Sequence, residues 1–526
     1  MAERAEFAHL GAPADSAAGT RMRGMVQDAP AVIDLFSGAG GMSLGFRAAG
    51  CRILAGVDEE DTANATFLDN FSRLQPGLQP FVPSPGEGDL HVFDLDTIPE
   101  AENVDIVVGG PPCQGFSRIG RAKLDWLQEA GYREEGFEED PRNELYKIFL
   151  SAVRRWRPSA FVMENVPGML SIGGQNVAEE IGGDLADSGY RVGYAVLNAV
   201  WYGVPQFRER LFFIGIREDL PARPSMPPAS HRAAAMPSGY FTTAASTRSS
   251  QWTNYLPFVM HYDLDVNHDR ASFEATSVRE ALDDLPRLVD HLTEGHLPKG
   301  DFRRLLAYPY QPHTPYARLM RSWPGLGGSE GVVDHVIRRT RRDYETFGLM
   351  QPGDRYPQAI AIATDRVRRK FVMRIEQSST PAEAEVLGEL LREFERVRSL
   401  SLPIKEWSPE LVSFTKEIYP PYPEDKFVDK WRKLVPDEPS WTVTAHLGKD
   451  SYSHIHYDDT QKRAISVREA ARLQSFPDSF AFSGNMGDCY RQIGNAVPPL
   501  MAWAIAAELL RSLGLPWTAP NLAGGT

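Results

Sequence analysis

Short apolar runs, each closed by glycine, proline or an acid, set the pattern of this chain. Ala31-Val-Ile-Asp-Leu-Phe36, Arg52-Ile-Leu-Ala-Gly-Val57, Val104-Asp-Ile-Val-Val108 and Pro158-Ser-Ala-Phe-Val-Met163 have the length and content of buried strands. Val92-Phe93, running into Asp94 and Leu95, predicts one more strand end. Between the runs lie helical patterns: Met42 to Ala49, a helix opening near Asp140, Thr276 to Pro286, a charged stretch from Pro381 to Leu400, and Ser466 to Asp478. Ser466 with Glu469 three residues on forms a capping box. A last apolar helix runs to about Leu513. Strand, turn and helix in alternation predict an α/β, doubly wound sheet. Residues 218–251 turn rich in Pro, Ala and Ser and predict a linker. Residues 1–29 predict a disordered leader.

The turns carry the chemistry. Ser37-Gly-Ala-Gly-Gly41 joins the first strand to the first helix, as in a nucleotide-binding unit. The dinucleotide spacing fails because Ser43 stands at the third glycine position, which counts against NAD. Acids close several strands: Asp58 with Glu59, Asp94, and Glu164. Gly109-Gly-Pro-Pro-Cys-Gln-Gly-Phe-Ser117 forces the chain to turn and presents Cys113 at the sheet edge where ligands bind. A lone free cysteine is usually a small buried hydrophobe. A thiol on a stiff loop at that edge is a candidate nucleophile. Arg208 and Arg210, in strand alternation, are expected on one face, where two like charges call for anions or acceptors.

Pro111-Pro-Cys-Gln114 resembles the catalytic loop of the DNA cytosine-C5 methyltransferases. Asp34-Leu-Phe-Ser-Gly-Ala-Gly-Gly41 resembles that family's first motif. Glu164-Asn-Val166, Gln206-x-Arg208-x-Arg210, the helix at Ser466 and Arg491-Gln-Ile-Gly-Asn495-Ala-Val-Pro-Pro-Leu500 follow in the family's order. The resemblance covers residues 31–217 and 466–513. It implies an S-adenosylmethionine-binding, Rossmann-like methyltransferase sheet, completed by residues 486–515, with a smaller α+β target recognition domain at 291–485 that includes the ninth motif; residues 30–290 form the body of the catalytic domain and 516–526 a tail. It implies cofactor contacts from Phe36, Ser37, Gly38, Gly40, Glu59, Pro112, Leu145 and Asn495, a ribose contact from Asp58, and adenine contacts from Asp94 and Leu95. Cys113 is the implied nucleophile on C6 of a cytosine flipped out of duplex DNA. Glu164 is implied at N3 and the exocyclic amine, and Arg208 and Arg210 at the carbonyl and a phosphate. Gln114 and Ser117 on the loop, and Thr442 in a Thr-Val pair resembling the Thr-Leu of recognition domains, are implied DNA contacts. Some relatives of this fold methylate tRNA with the same pocket; the long inserted region favours DNA. A silent DNA-binding relative is a third reading, against which the intact Cys, Glu and Arg motifs stand.

Composition adjusts this picture only slightly. The chain has 526 residues, 42% hydrophobic and 24% charged, ordinary for a globular protein. Cys51, Cys113 and Cys489 are too few and too scattered for a disulfide framework or a metal site, which fits a reducing cytoplasm and no metal. No membrane span and no signal peptide are expected. The net charge of −14 argues weakly against nucleic acid. Two basic clusters, Arg338 to Arg342 and Arg366 to Lys370, are candidates for tracking phosphates or for solvated helix faces. A monomer acting on double-stranded DNA is expected, and the resemblance admits a cognate restriction endonuclease as partner.

Overall fold

The computed structural model describes residues 29–112, 145–170, 177–233, 259–261, 273–292, 303–422, 430–448 and 452–518. Cys113, Gln114 and Ser117, and the leader, lie outside the described residues.

Six strands build the main sheet: β1 Ala31–Leu35, β2 Arg52–Val57, β3 Ile106–Gly109, β4 Ala160–Asn165, β5 Tyr190–Asn198 and β6 Glu209–Arg217. The short strand Val259–His261 extends one edge, after the order β2-β1-β3-β4-β6-β5. β2, β1, β3 and β4 run parallel, in the register Val32 to Ile106 and Val107 to Phe161. β6 is antiparallel to both β4 and β5. Strands β1 and β3 are buried along their whole length, as parallel strands covered on both faces must be.

One correction follows from this order. Residues 92–94 form no strand. Asp94 is exposed and caps a short 3-10 turn, its carboxylate accepting from Asp96 N–H at 3.0 Å. The apolar pair Val92-Phe93 is too short to bury a strand; Val92 is exposed and Phe93 packs beside Phe81. The third strand is the run that ends at Gly109.

The helix Gly41–Ala49 packs on one side of the sheet against the late helix Pro499–Ser512. Gly45 makes that contact close: a Cβ there would lie 2.5 Å from Ala502 Cβ. Thr518 N–H then donates to Ala49 O at 2.9 Å. The stretch Met486–Ser512 is long and apolar enough for a membrane span, yet it is mostly buried within the fold, and Ala496 to Pro498 interrupt it between two helices.

The helix Val467–Leu473 also belongs to this core: Val467, Ala470, Ala471 and Leu473 cluster with Val32 and Ile106. So do Tyr316, Leu319, Met320 and Trp323. A separate apolar cluster gathers Phe347, Tyr356, Phe371, Phe394, Trp407, Trp431 and Tyr452. The helix Tyr356–Glu376 supplies Tyr356 and Phe371 to it, and the helix Pro381–Ser399 supplies Phe394.

The second basic cluster lies on the first of these helices, and the fold uses much of it internally. Arg368 pairs with Glu395 at 2.6 Å and Arg369 with Asp365 at 2.6 Å. Lys370 Nζ donates to Phe414 O at 2.7 Å, and Arg366 to Thr346 Oγ1 at 2.6 Å.

Candidate active site

The glycine turn sits where β1 gives way to its helix. Phe36, Gly38 and Gly40 all have positive φ, at 60°, 53° and 88°. Such angles suit glycine and cost an L side chain, so Phe36 is the strained member. A Cβ at Gly40 would lie 2.5 Å from the Phe71 ring and 2.8 Å from Phe67, so only glycine fits. At Gly38 nothing lies within 4 Å of the same added atom. The turn is thus filled from beneath and open above, the form of a cradle. Beneath it Ser43 Oγ donates to buried Asp34 at 2.6 Å. Burial pushes the Asp34 carboxyl up to about 7, against the Ser43 hydrogen bonds.

Asp58 and Glu59 take different positions. Asp58 Oδ2 accepts from Gly38 N–H at 2.8 Å and Oδ1 from Glu60 N–H at 3.0 Å. Oδ2 therefore braces the turn while Oδ1 holds the segment after β2, and burial pushes this carboxyl up to about 6. Glu59 is exposed at the end of β2. Ser37 N–H donates to Val57 O at 3.0 Å, tying the turn to β2. The C-terminal segment closes the same place: a Cβ on Gly41 would overlap Val497 O and lie 3.1 Å from Ala496 Cβ. Asn495, exposed, is the last residue of the helix Met486–Asn495. Leu145 is buried at the start of the helix Leu145–Trp156. Asp94 and Leu95 stand on the exposed turn described above.

Two strands along, β4 ends in Glu164 and Asn165. Glu164 Oε1 meets Arg210 Nε at 2.8 Å, both side chains being mostly buried. Its Oε2 lies 3.0 Å from where a Cβ on Gly110 would stand. The carboxylate thus lies directly against the start of the Gly-Gly-Pro-Pro turn, and Gly110 leaves room for it. Asn165 Nδ2 donates to Pro111 O at 3.1 Å and its Oδ1 accepts from Val166 N–H at 2.8 Å. That amide, to which the sequence reading assigned no role, fixes the approach to Pro112. Burial raises the Glu164 pKa above the usual carboxylate value, and Arg210 and Arg208 oppose the rise.

Arg208 and Arg210 do not share a task, contrary to the expectation from alternation. Arg208 is fully buried and precedes β6. Its Nη1 donates to Val443 O at 2.8 Å and its Nη2 to Gly494 O at 2.9 Å. It joins three segments of the chain, whereas Arg210 faces the carboxylate. Thr442 is used in the same junction: its hydroxyl donates to Phe207 O at 2.7 Å. The expected anion and base contacts of Arg208 and Thr442 are occupied here by the protein's own carbonyls. Gln206, the first residue of that motif, is also fully buried and accepts from Val443 N–H at 3.0 Å.

Comparison with known proteins agrees with this arrangement. A profile of the C-5 cytosine-specific DNA methylases matches residues 31–279 and 361–511. A protein of Oceanobacillus iheyensis assigned as a type II methyltransferase, M.OihORF3336P, is 34% identical over 92% of this chain and 96% of its own length. The type II methyltransferase M.AgeI of Thalassovita gelatinovora is 32% identical over 91% of this chain and 98% of its own. A solved structure of an Escherichia coli prophage protein, assigned as a DNA modification methyltransferase, shares the fold with a TM-score of 0.54 at 20% identity, covering 92% of this chain and 100% of that one. With an open glycine cradle, a buried carboxylate against the Pro-Pro turn and a profile matched on both sides of residues 280–360, the chain belongs to the C-5 cytosine-specific DNA methylases and methylates cytosine in DNA.

Proposed function

We propose that this enzyme takes its methyl group from S-adenosylmethionine held at the Phe36–Gly40 turn and adds it to a cytosine flipped out of duplex DNA. The open space over Gly38 and the close-packed floor under Gly40 support that placement. Ser37, Glu59, Pro112, Leu145 and Asn495 line the proposed cofactor side. Asp58, at the end of β2 and bonded to Gly38 N–H, is proposed for the ribose hydroxyls, with Glu59 exposed beside it. Asp94 and Leu95 are proposed for the adenine, as the resemblance implies. S-adenosylmethionine, when bound, supplies an electrophilic methyl group.

The chain's own residues prepare the base. Cys113 as thiolate adds to C6, which makes C5 electron-rich. Glu164, its pKa raised by burial, holds a proton at N3 and accepts from the exocyclic amine, so charge on the ring is neutralised as the thiolate adds. Arg210 aligns that carboxylate at 2.8 Å and is the arginine placed to meet the cytosine carbonyl. After methyl transfer a base takes the C5 proton, and the electrons left at C5 re-form the C5–C6 double bond as the C6–S bond breaks and the thiolate leaves. Gln114 and Ser117 are proposed loop contacts to the duplex.

The observation that carries this reading is the buried Glu164 carboxylate set against Gly110, on the turn that leads to Cys113. A duplex carrying 5-fluorocytosine tests it, with the target site first mapped by bisulfite sequencing of DNA from a host expressing the enzyme. The expected result is a covalent adduct with the unaltered enzyme and none with Cys113→Ala, because fluorine blocks the last elimination. Turnover retained by Cys113→Ala overturns the assignment.

A further inference from the structure

Three buried stretches of backbone meet beside Arg208, and two glutamine side chains join them. Gln206 and Gln474 are both fully buried. Gln206 Oε1 accepts from Val443 N–H at 3.0 Å, and its Nε2 donates to Leu473 O at 2.7 Å and to Gln474 Oε1. Gln474 Nε2 donates to Ile493 O at 3.0 Å and to Ala496 O at 2.6 Å. Fixed backbone groups dictate each amide's orientation: an N–H faces one oxygen, and carbonyls face both nitrogens. The result is one directed chain from Val443 through two amides to Ala496.

The two ends of that chain touch different parts of the site. Val443 follows Thr442 in the segment Ser440 to Ala445, which pairs with the Pro205–Phe207 loop. Ala496 and Val497 press on Gly41 of the cofactor turn. Arg208 braces the same junction in parallel, through Val443 O and Gly494 O. A Cβ on Gly494 would overlap Ala445 N, so the helix end and the recognition segment meet backbone to backbone. Close-packed, fully hydrogen-bonded junctions shift as units rather than deform gradually.

We propose that Gln206 and Gln474 are positioning residues that couple target engagement to cofactor binding, so that duplex against Ser440 to Ala445 and S-adenosylmethionine over Gly41 bind interdependently. The proposal rests on the placement of both ligands given above. Coupling is reciprocal: each ligand changes the other's affinity by the same factor.

The test measures the dissociation constant of S-adenosylhomocysteine with and without saturating duplex bearing the mapped site. The unaltered enzyme should show a change of about fivefold or more. Gln474→Met, which keeps the length and removes the amide, should bring the change below about twofold while each ligand alone binds within about threefold of normal. Gln206→Glu keeps the acceptor for Val443 N–H, removes the amide donor to both Leu473 O and Gln474 Oε1, and should lose coupling likewise. A variant with full coupling, or an unaltered enzyme with none, overturns the proposal. Hydrogen exchange on the unaltered enzyme reads the same link without any variant: cofactor alone should slow exchange at residues 440–445, and duplex alone at 493–497. Absence of both effects overturns it too. Failure of either ligand to bind at all would instead count against the placement of the ligands.

Discussion

At the scale of single residues, environment sorts side chains that the sequence presents as equals. Arg208 and Arg210 stand in one motif, yet one binds two carbonyls of the protein and the other a carboxylate. Asp58 and Glu59 are neighbours, yet only Asp58 turns both oxygens onto backbone N–H groups. Glu164 shows the catalytic consequence. Burial raises its pKa, so it keeps a proton to higher pH than an ordinary carboxyl. The chemical step should therefore slow as pH rises through that raised value. Single-turnover rates for Glu164→Gln should fall by about 10²–10⁴ with cofactor affinity unchanged, and the alkaline limb set by this carboxyl should vanish from the profile. An identical limb in the variant would assign it to another group. The motif sequence showed which residue types gather here. It did not show that Arg208 faces inward, because a period of two fixes faces only within a strand, and β6 begins at Glu209.

At the scale of elements, the helix Val467–Leu473 shows how charge is held inside the fold. Its capping box, expected from Ser466 and Glu469, is present, with both hydrogen bonds made. The sequence did not show that every residue of this helix is buried, including Arg468, Glu469 and Arg472. Their partners come from far along the chain, which no local pattern encodes. Arg472 meets Asp284 at 2.9 Å and Asp478 at 2.5 Å; Arg468 meets Asp334 at 3.2 Å. Burial pushes the Glu469 pKa up, but Arg463 and His456 hold it well below the usual carboxylate range. Asp284 and Asp334 lie within residues 280–360, which the family profile leaves unmatched. That stretch therefore does structural work on a motif the profile does match. Arg472→Met should leave buried Asp478 without its arginine and Asp284 with Arg321 alone, and cost about 3–5 kcal/mol, as broken buried pairs do. Chemical denaturation reads the loss, and a change under about 1 kcal/mol would contradict the packing described. The strands of the parallel half were legible because each is a mostly apolar run of strand length. The misread strand at Asp94 had only two apolar residues, too few to distinguish a strand from a turn.

At the scale of the whole molecule, an acidic protein must meet a polyanion. The run Arg366 to Lys370 looked suited to phosphates, but the residues that would track a duplex are tied to the protein's own acids and carbonyls. Arg368→Ala should therefore leave the salt dependence of duplex binding unchanged, where loss of a true phosphate contact flattens the slope by about one unit. Titrations across a salt series decide it; a flatter slope would restore the residue to the interface. The placement of the last helix also has a consequence for how the enzyme is made. Gly41–Ala49 rests on Pro499–Ser512, and the two are separated by nearly the full length of the chain. A ribosome adding roughly 5–20 residues per second finishes the six strands tens of seconds before it supplies the helix that covers them. Through that interval the side of the first helix that packs on Pro499–Ser512 has no native cover, and a nascent chain stalled before Ala496 also lacks Ala496 and Val497 against Gly41. Methylating capacity should arise all at once, near the end of synthesis, with half-made chains inert toward DNA and dependent on chaperones.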